Sequence, residues 1–254
     1  MKLMARLMRV LPMQTTTNLA QLAVVMKPQV ETDSTYRRLQ RFLLDFVPTE
    51  PPYIAVLDRT EWHFGQTAVN VLMIGIAEGG IAYPVVWSVL GHGGGSGASE
   101  HTDLLKQFLR LVEPDELRAL VADREFTGSD FLKELDQREI PFVIRLKKDR
   151  RIGPPPTDAS SEEWSLPVKM FARACTPGQT RQLPAPKGLG GAESVECQVT
   201  ARRLEEDSFL ILAGQKVDPG SMLDLYWKRW EIETLFAAFG VQRLRAGGNP
   251  HDWA

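Results

Sequence analysis

The sequence predicts an α/β fold: a mixed five-stranded sheet with helices, a short helical region before it and a β-rich insertion within it. Three observations carry this. Apolar runs of strand length alternate with amphipathic helical segments between residues 53 and 147. Two of those runs lead into an aspartate, Asp58 and Asp123. Much later, Leu225 to Phe236 reads as a helix on which Tyr226, Arg229 and Glu233 are three and four residues apart and share one face.

The bulk numbers limit the alternatives. A chain of 254 residues holds one large domain, or one domain with a small appendage. Hydrophobic residues at 43% and charged residues at 24% are those of a globular protein. No apolar run approaches the ~18 residues of a membrane span, so a cytoplasmic protein without membrane contact is expected. The two cysteines, Cys175 and Cys197, have no metal-ligand spacing and read as free thiols. A net charge of −2 gives no general support for nucleic-acid binding, which must rest on local basic patches.

Residues 1–47 read as helical, with Asp33-Ser34-Thr35 as an N-cap before Tyr36, Leu39, Phe42, Leu43 and Phe46. Arg37, Arg38 and Arg41 form a basic stripe on the opposite side, either a DNA-contacting surface or a solvated helix face. Val47 to Pro52 is a linker, since successive prolines oppose both helix and central strand. Tyr53 to Leu57 is a buried strand ending on Asp58. Val69 to Ala77 and Ile81 to Leu90 complete an antiparallel meander around the turn Glu78-Gly79-Gly80. Gly91 to Ser99 is a glycine-rich crossover without phosphate-loop spacing. Then follow a helix from Glu100 to Leu111, a strand from Glu116 to Ala122, a helix from Ser129 to Arg138 and a strand from Pro141 to Leu146. Residues 148–214 are rich in proline and glycine, with short strands expected over Trp164–Ala174, Val195–Arg203 and Phe209–Ala213. The Glu233 helix is expected to begin near Met222, so that residues 53–147 and 215–240 form the core.

Three antiparallel strands, helix, strand, helix, strand is the order of an RNase H-like core. That core sets one acid on its first strand, one at the end of its fourth, and a third on a following helix. Hard oxygen ligands from three elements, with coordination left open for phosphate and water, suit Mg²⁺ or Mn²⁺. Two such ions can serve an in-line phosphoryl displacement. Asp58 is accordingly expected to bridge two ions, with Asp123 and Glu233 each completing one site. Each acid has a plainer reading: Asp58 as a turn residue, Asp123 paired with Arg124, Glu233 as an exposed helix charge with Glu231 in its place. Joint placement on three suitable elements favours the catalytic one. Trp62, Trp227 and Trp230 are expected to pack rather than stack on a base, and the four histidines are given no role.

The blocks Asp58-Arg59-Thr60-Glu61-Trp62, Asp123-Arg124-Glu125-Phe126 and Tyr226-x-x-Arg229-x-x-x-Glu233 resemble the catalytic blocks of bacterial insertion-sequence transposases. The group is the DDE-type insertion sequence four family, and the resemblance runs from about Leu19 to Phe239. It implies that Asp58, Asp123 and Glu233 form the catalytic triad and that Tyr226 and Arg229 hold phosphates at transposon ends. It further implies metal-dependent cleavage of DNA, joining of the freed 3′-hydroxyl to target DNA, and a homodimer on DNA in the full-length family. The sequence departs from the family at Gly240, where a lysine is expected, and residues 241–254 read as an aberrant tail. Permitted codons for Val241 to Trp253, read one base later, can spell Ser-Arg-Gly-Phe-Glu-Leu-Glu-Ala-Thr-His-Met-Thr, which resembles the family's continuation; a frameshifted, truncated copy is therefore expected. The competing functions are a non-catalytic DNA-binding or inhibitory fragment and a host nuclease of the same fold.

Overall fold

The structure, a computed structural model, describes residues 50–64, 67–154, 165–184, 187–189, 195–205 and 208–238. The basic stripe of Arg37, Arg38 and Arg41 and the tail 241–254 lie outside them. In chain order the elements are β1 (Tyr53–Phe64), β2 (Thr67–Glu78), β3 (Ile81–Leu90), α1 (Ala98–Phe108), β4 (Leu117–Ala122), α2 (Ser129–Gln137) and β5 (Phe142–Arg145). The insertion supplies β6 (Arg151–Gly153), β7 (Leu166–Pro167), α3 (Lys169–Ala172), β8 (Thr180–Gln182), β9 (Lys187–Leu189), β10 (Val195–Glu205) and β11 (Ser208–Gln215). Two helices close the described chain, α4 (Met222–Trp227) and α5 (Trp230–Ala238).

The sheet order is β3-β2-β1-β4-β5-β11-β10-β9-β6-β7, with β8 on β10. β1, β2 and β3 pair antiparallel, while β4 is parallel to both β1 and β5. This is the RNase H-like arrangement. Gly79 and Gly80, at φ 63° and 90°, make the two-residue turn between β2 and β3, where side chains with a Cβ are strained. Ala55, Val56 and Leu57 of β1 are fully buried, as are Ala119 to Ala122 of β4, because helices cover both faces of the parallel part.

α1 and α2 cover one face. At the start of α1, Glu100 reaches back and accepts from the Gly97 N–H at 2.7 Å. Its Leu104, Leu105 and Phe108 join Phe131, Leu132 and Leu135 of α2 over Leu57, Leu72, Leu120 and Phe142. The other face carries two separate clusters. Met222, Leu225 and Tyr226 of α4 pack on Val121, Val143 and Leu212, and Ile232, Leu235 and Phe236 of α5 pack on Val56, Met73 and Trp87. At about 1.5–3 kcal/mol for each buried large side chain, these two anchors hold both helices to the sheet.

Three expectations are corrected. The single helix from Met222 is two helices, joined by a tighter turn in which Arg229 N–H bonds Tyr226 C=O at 3.0 Å and Glu231 N–H bonds Lys228 C=O at 3.0 Å. The chain breaks because its two apolar halves serve different clusters. Asp58 does not end its strand: β1 continues to Phe64 on β2, and only the β1–β4 ladder stops at Leu57 and Ala122. Within Trp164–Ala174, the described residues form the two-residue β7 and then helix α3, because Val168 and Ala172, both fully buried, sit one helical turn apart. The last strands of the insertion join the core sheet, with β11 antiparallel on β5.

Candidate active site

The acids meet where the two apolar clusters part. Asp58 lies on β1 level with the end of β4, on the face covered by α4 and α5, and is 1% exposed. Asp123 follows β4 directly and opens the short turn Arg124–Phe126, its C=O accepting from the Phe126 N–H at 3.1 Å. Glu233 projects from the first turn of α5. Arg229, in the junction between the helices, is 3% exposed and reaches in among them. Its Nη1 donates to Asp58 Oδ2 at 3.3 Å and to Glu233 Oε1 at 3.0 Å, so one guanidinium nitrogen bridges acids from two remote elements. Tyr226 O–H donates to Asp123 Oδ1 at 3.3 Å, and Arg145 Nη1 stands 3.8 Å from the same oxygen. The guanidinium lies over the Trp230 ring at 4.6 Å and near the Tyr226 ring at 5.8 Å.

Electrostatics follow from this packing. Burial works against the charged forms of both Asp123 and Arg229, and both are charged nonetheless. For Asp123, Arg229, the Arg124 N–H and Arg145 outweigh burial and hold the carboxyl below its usual range. For Arg229, Tyr226, Asp58, Glu233 and Asp123 outweigh it and raise the guanidinium further. Burial pushes the Tyr226 hydroxyl up to about 12, so it remains a donor at neutral pH.

Glu231 and Asp123 each have partners that bear on the plainer readings. Glu231 turns to Lys228 at 2.7 Å, leaving Glu233 as the acid on the Arg229 side. Asp123 meets Tyr226 and Arg145 from other elements, not Arg124 alone. Trp227 and Trp230 are half-buried, and the side chain of Trp62 lies outside the described residues. Arg145 was not expected in the site. Its signal was available in the sequence: it ends the strand beside the one that leads into Asp123, in step with the inward Val143.

The carboxylate oxygens are the hard donors a divalent cation takes, and the site already stabilises positive charge between Asp58 and Glu233. Among the described residues, no three His, Cys, Asp or Glu side chains stand as a set for one metal ion, and the guanidinium of Arg229 holds the position between two of them. The donor set thus fits such an ion in kind, with Arg229 as the group that has to yield.

Fold and site together describe an RNase H-like domain with acids converging from β1, the end of β4 and a later helix. The family model for the transposase DDE domain matches residues 85–248. That is more than half of the 254 residues, and the chain belongs to this family. The match contains Asp123, Tyr226, Arg229 and Glu233, begins after Asp58 and ends inside the tail. No curated protein matches the chain. Solved structures similar to it include a piggyBac transposase synaptic complex with hairpin DNA, at 11% identity and a TM-score of 0.45, covering 76% of this chain and 41% of that one. The chain thus spans about two fifths of that transposase's length. Also similar are the Bacillus subtilis endonuclease V, at 14% identity, a TM-score of 0.36 and coverage of 85% and 94%, and the catalytic domain of human endonuclease V, at 17%, 0.37, 84% and 99%. Among the described residues no helix is long and apolar enough to cross a membrane.

Proposed function

We propose that this chain is a transposase of the insertion sequence four family that cleaves DNA at element ends and joins the freed strand to target DNA by phosphoryl transfer. The observation that carries the reading is the single guanidinium of Arg229 bridging Asp58 and Glu233, 171 and 4 residues away in sequence, beside Asp123. One buried acid, Asp58, and two half-buried ones, Asp123 and Glu233, stand around a single buried cation, an arrangement that is weak support for stability. In this reading Asp58, Asp123 and Glu233 hold two Mg²⁺ or Mn²⁺ ions. Such ions, when bound, would supply Lewis-acid stabilisation of charge on a phosphate and on the attacking oxygen.

The chain's own residues have definite tasks. Arg229 carries a planar fork that matches a phosphate as well as a carboxylate, so an incoming DNA strand can draw it from Asp58. Tyr226, neutral at working pH, keeps Asp123 oriented through its O–H. Arg145 adds positive charge beside Asp123 Oδ1, where it would attract a phosphodiester. The stripe Arg37, Arg38 and Arg41 belongs to the same reading as a DNA contact, with a homodimer formed on DNA in the cytoplasm. The domain division at 148–214 and a frameshifted tail from Val241 complete it; the gene's nucleotide sequence tests the tail.

The experiment is strand nicking on oligonucleotides bearing the inverted repeats that flank the gene, with Mg²⁺ or Mn²⁺. Wild type nicks at the repeat ends. Asp58→Ala, Asp123→Ala and Glu233→Gln fall to background, and Glu231→Gln retains nicking. End binding without nicking in the wild type would leave only a DNA-binding fragment. Nicking indifferent to the repeats would point to a nuclease instead.

A further inference from the structure

The backbone ladder between β1 and β4 ends at Leu57 and Ala122, one residue before each aspartate. Beyond that point the β1–β4 ladder no longer joins the two segments, although β2 still carries Asp58, and the structure supplies a side-chain tie on the opposite face of β1. Asp58 and Arg59 are neighbours on a strand, so their side chains leave on opposite faces. The Arg59 N–H donates to Asp58 Oδ1 at 2.8 Å. The Arg59 guanidinium donates from Nε to Glu125 Oε1 at 3.1 Å and from Nη2 to Glu125 Oε2 at 3.4 Å. Glu125 sits in the short turn that follows Asp123. A fork-to-fork pair therefore joins the residue after one acid to the turn that holds the other.

The same guanidinium reaches further. Its Nη1 donates to Asn70 Oδ1 at 3.0 Å, and the buried Asn70 amide donates to the carbonyls of His92 at 3.2 Å and Gly94 at 2.9 Å. Phe126, next to Glu125, is fully buried against the His101 ring at 4.7 Å, and His101 Nε2 bonds Ser96 Oγ at 2.6 Å. The glycine-rich segment after β3 is thereby fastened to both acid-bearing elements.

We propose that Arg59 and Glu125 are positioning residues that fix the separation of Asp58 and Asp123 for divalent-metal binding, with Asn70 extending the tie to the segment after β3. This rests on the metal-dependent reading above. The Arg59–Glu125 pair is partly exposed, 19% and 32% by side chain, so its loss leaves the fold standing and acts on the site. Outer groups that orient metal ligands typically govern about 10–100-fold in affinity.

The test is Mn²⁺ binding to the full chain, followed by electron paramagnetic resonance, together with thermal unfolding and the metal dependence of nicking. Arg59→Ala and Glu125→Ala each weaken Mn²⁺ by about tenfold or more. The double variant is no weaker than Arg59→Ala, because that variant already breaks the Glu125 pair together with the bond to Asn70. Glu125→Gln, which keeps size and one acceptor, falls between and serves if the alanine variants do not fold. In nicking, the metal concentration for half-maximal rate rises by the same factor and saturating metal restores the rate. Mn²⁺ affinity equal to wild type in the single variants, or effects that multiply in the double, overturns the proposal. So does weakened DNA binding at unchanged metal affinity, which would make Arg59 a DNA contact. If Asp58→Ala loses Mn²⁺ while Arg59→Ala keeps it, only the tie is wrong; a wild type that binds no Mn²⁺ removes the metal reading and the tie with it.

Discussion

Replacing Arg229 by alanine is the most direct probe of the site. The side chains of Arg229 and Asp58 are 4% and 2% exposed, so the substitution strips a buried carboxylate of its guanidinium while the carboxylate stays in place. Breaking a buried pair in this way costs about 3–5 kcal/mol. The stacking of the guanidinium on Trp230 is lost as well. In a domain of this size each kcal/mol lowers Tm by about 2–4 °C, so a fall of roughly 6–20 °C is expected. A cation able to take the vacated position changes the result. In Arg229→Ala, Mg²⁺ or Mn²⁺ no longer competes with the guanidinium, so the divalent ion should raise Tm more than it does in wild type. Differential scanning fluorimetry with and without metal reads both effects. A loss below ~1 kcal/mol, or an equal metal response in the two proteins, refutes the reasoning.

Two further outcomes follow from buried charge. Burial drives the His101 ring down to about 4 from its usual 6.5, with Arg59 adding to the fall and Glu100 opposing it. The unfolded chain therefore binds a proton between those values that the folded chain refuses. Stability is complete above pH 6.5 and declines by roughly 3 kcal/mol as pH falls to about 4. Asp123, whose carboxyl is held below its usual range, contributes stability that is lost only at lower pH still. Urea unfolding across pH 4–7 should show a flatter acid limb for His101→Gln; an unchanged limb excludes His101 as its source. The double replacement Asp58→Leu/Arg229→Met removes both members of the buried pair in favour of apolar groups. It should unfold within about 2 kcal/mol of wild type, or later, while nicking is abolished. A loss as large as that of Arg229→Ala would show that the pair is structural.

Much of this was legible because it is local. β1, β2, β3, β4 and β5 are apolar runs bounded by turn residues, and Gly79-Gly80 marks its hairpin unaided. Asp123 after β4 and Glu233 on a helix could be read from position alone. What escaped depends on pairing between distant segments. Nothing near Asp58 shows that β2 carries β1 on to Phe64 after β4 has stopped. Nothing near Phe209 shows that β11 lies against β5. The Arg59–Glu125 pair spans 66 residues and has no periodic signature. The Val168, Phe171 and Ala172 spacing in α3 was there to be read, but the surrounding prolines and glycines disguised it as strand.

The break between α4 and α5 connects these points. A continuous helix through Met222 to Ala238 would present one apolar stripe to one stretch of sheet. The chain instead has two anchors, Met222, Leu225 and Tyr226 over β4, β5 and β11, and Ile232, Leu235 and Phe236 over β1, β2 and β3. Covering both requires a change of direction between them, and the tight turn at Lys228–Arg229 provides it. That turn stands over the seam where the ladder of β1 and β4 has ended and the aspartates emerge. Arg229 is therefore lowered into the acids by the packing of its neighbours, and Glu233, one turn into α5, follows it. The hydrophobic division of the last two helices is thus what delivers the third carboxylate to a site the sheet began.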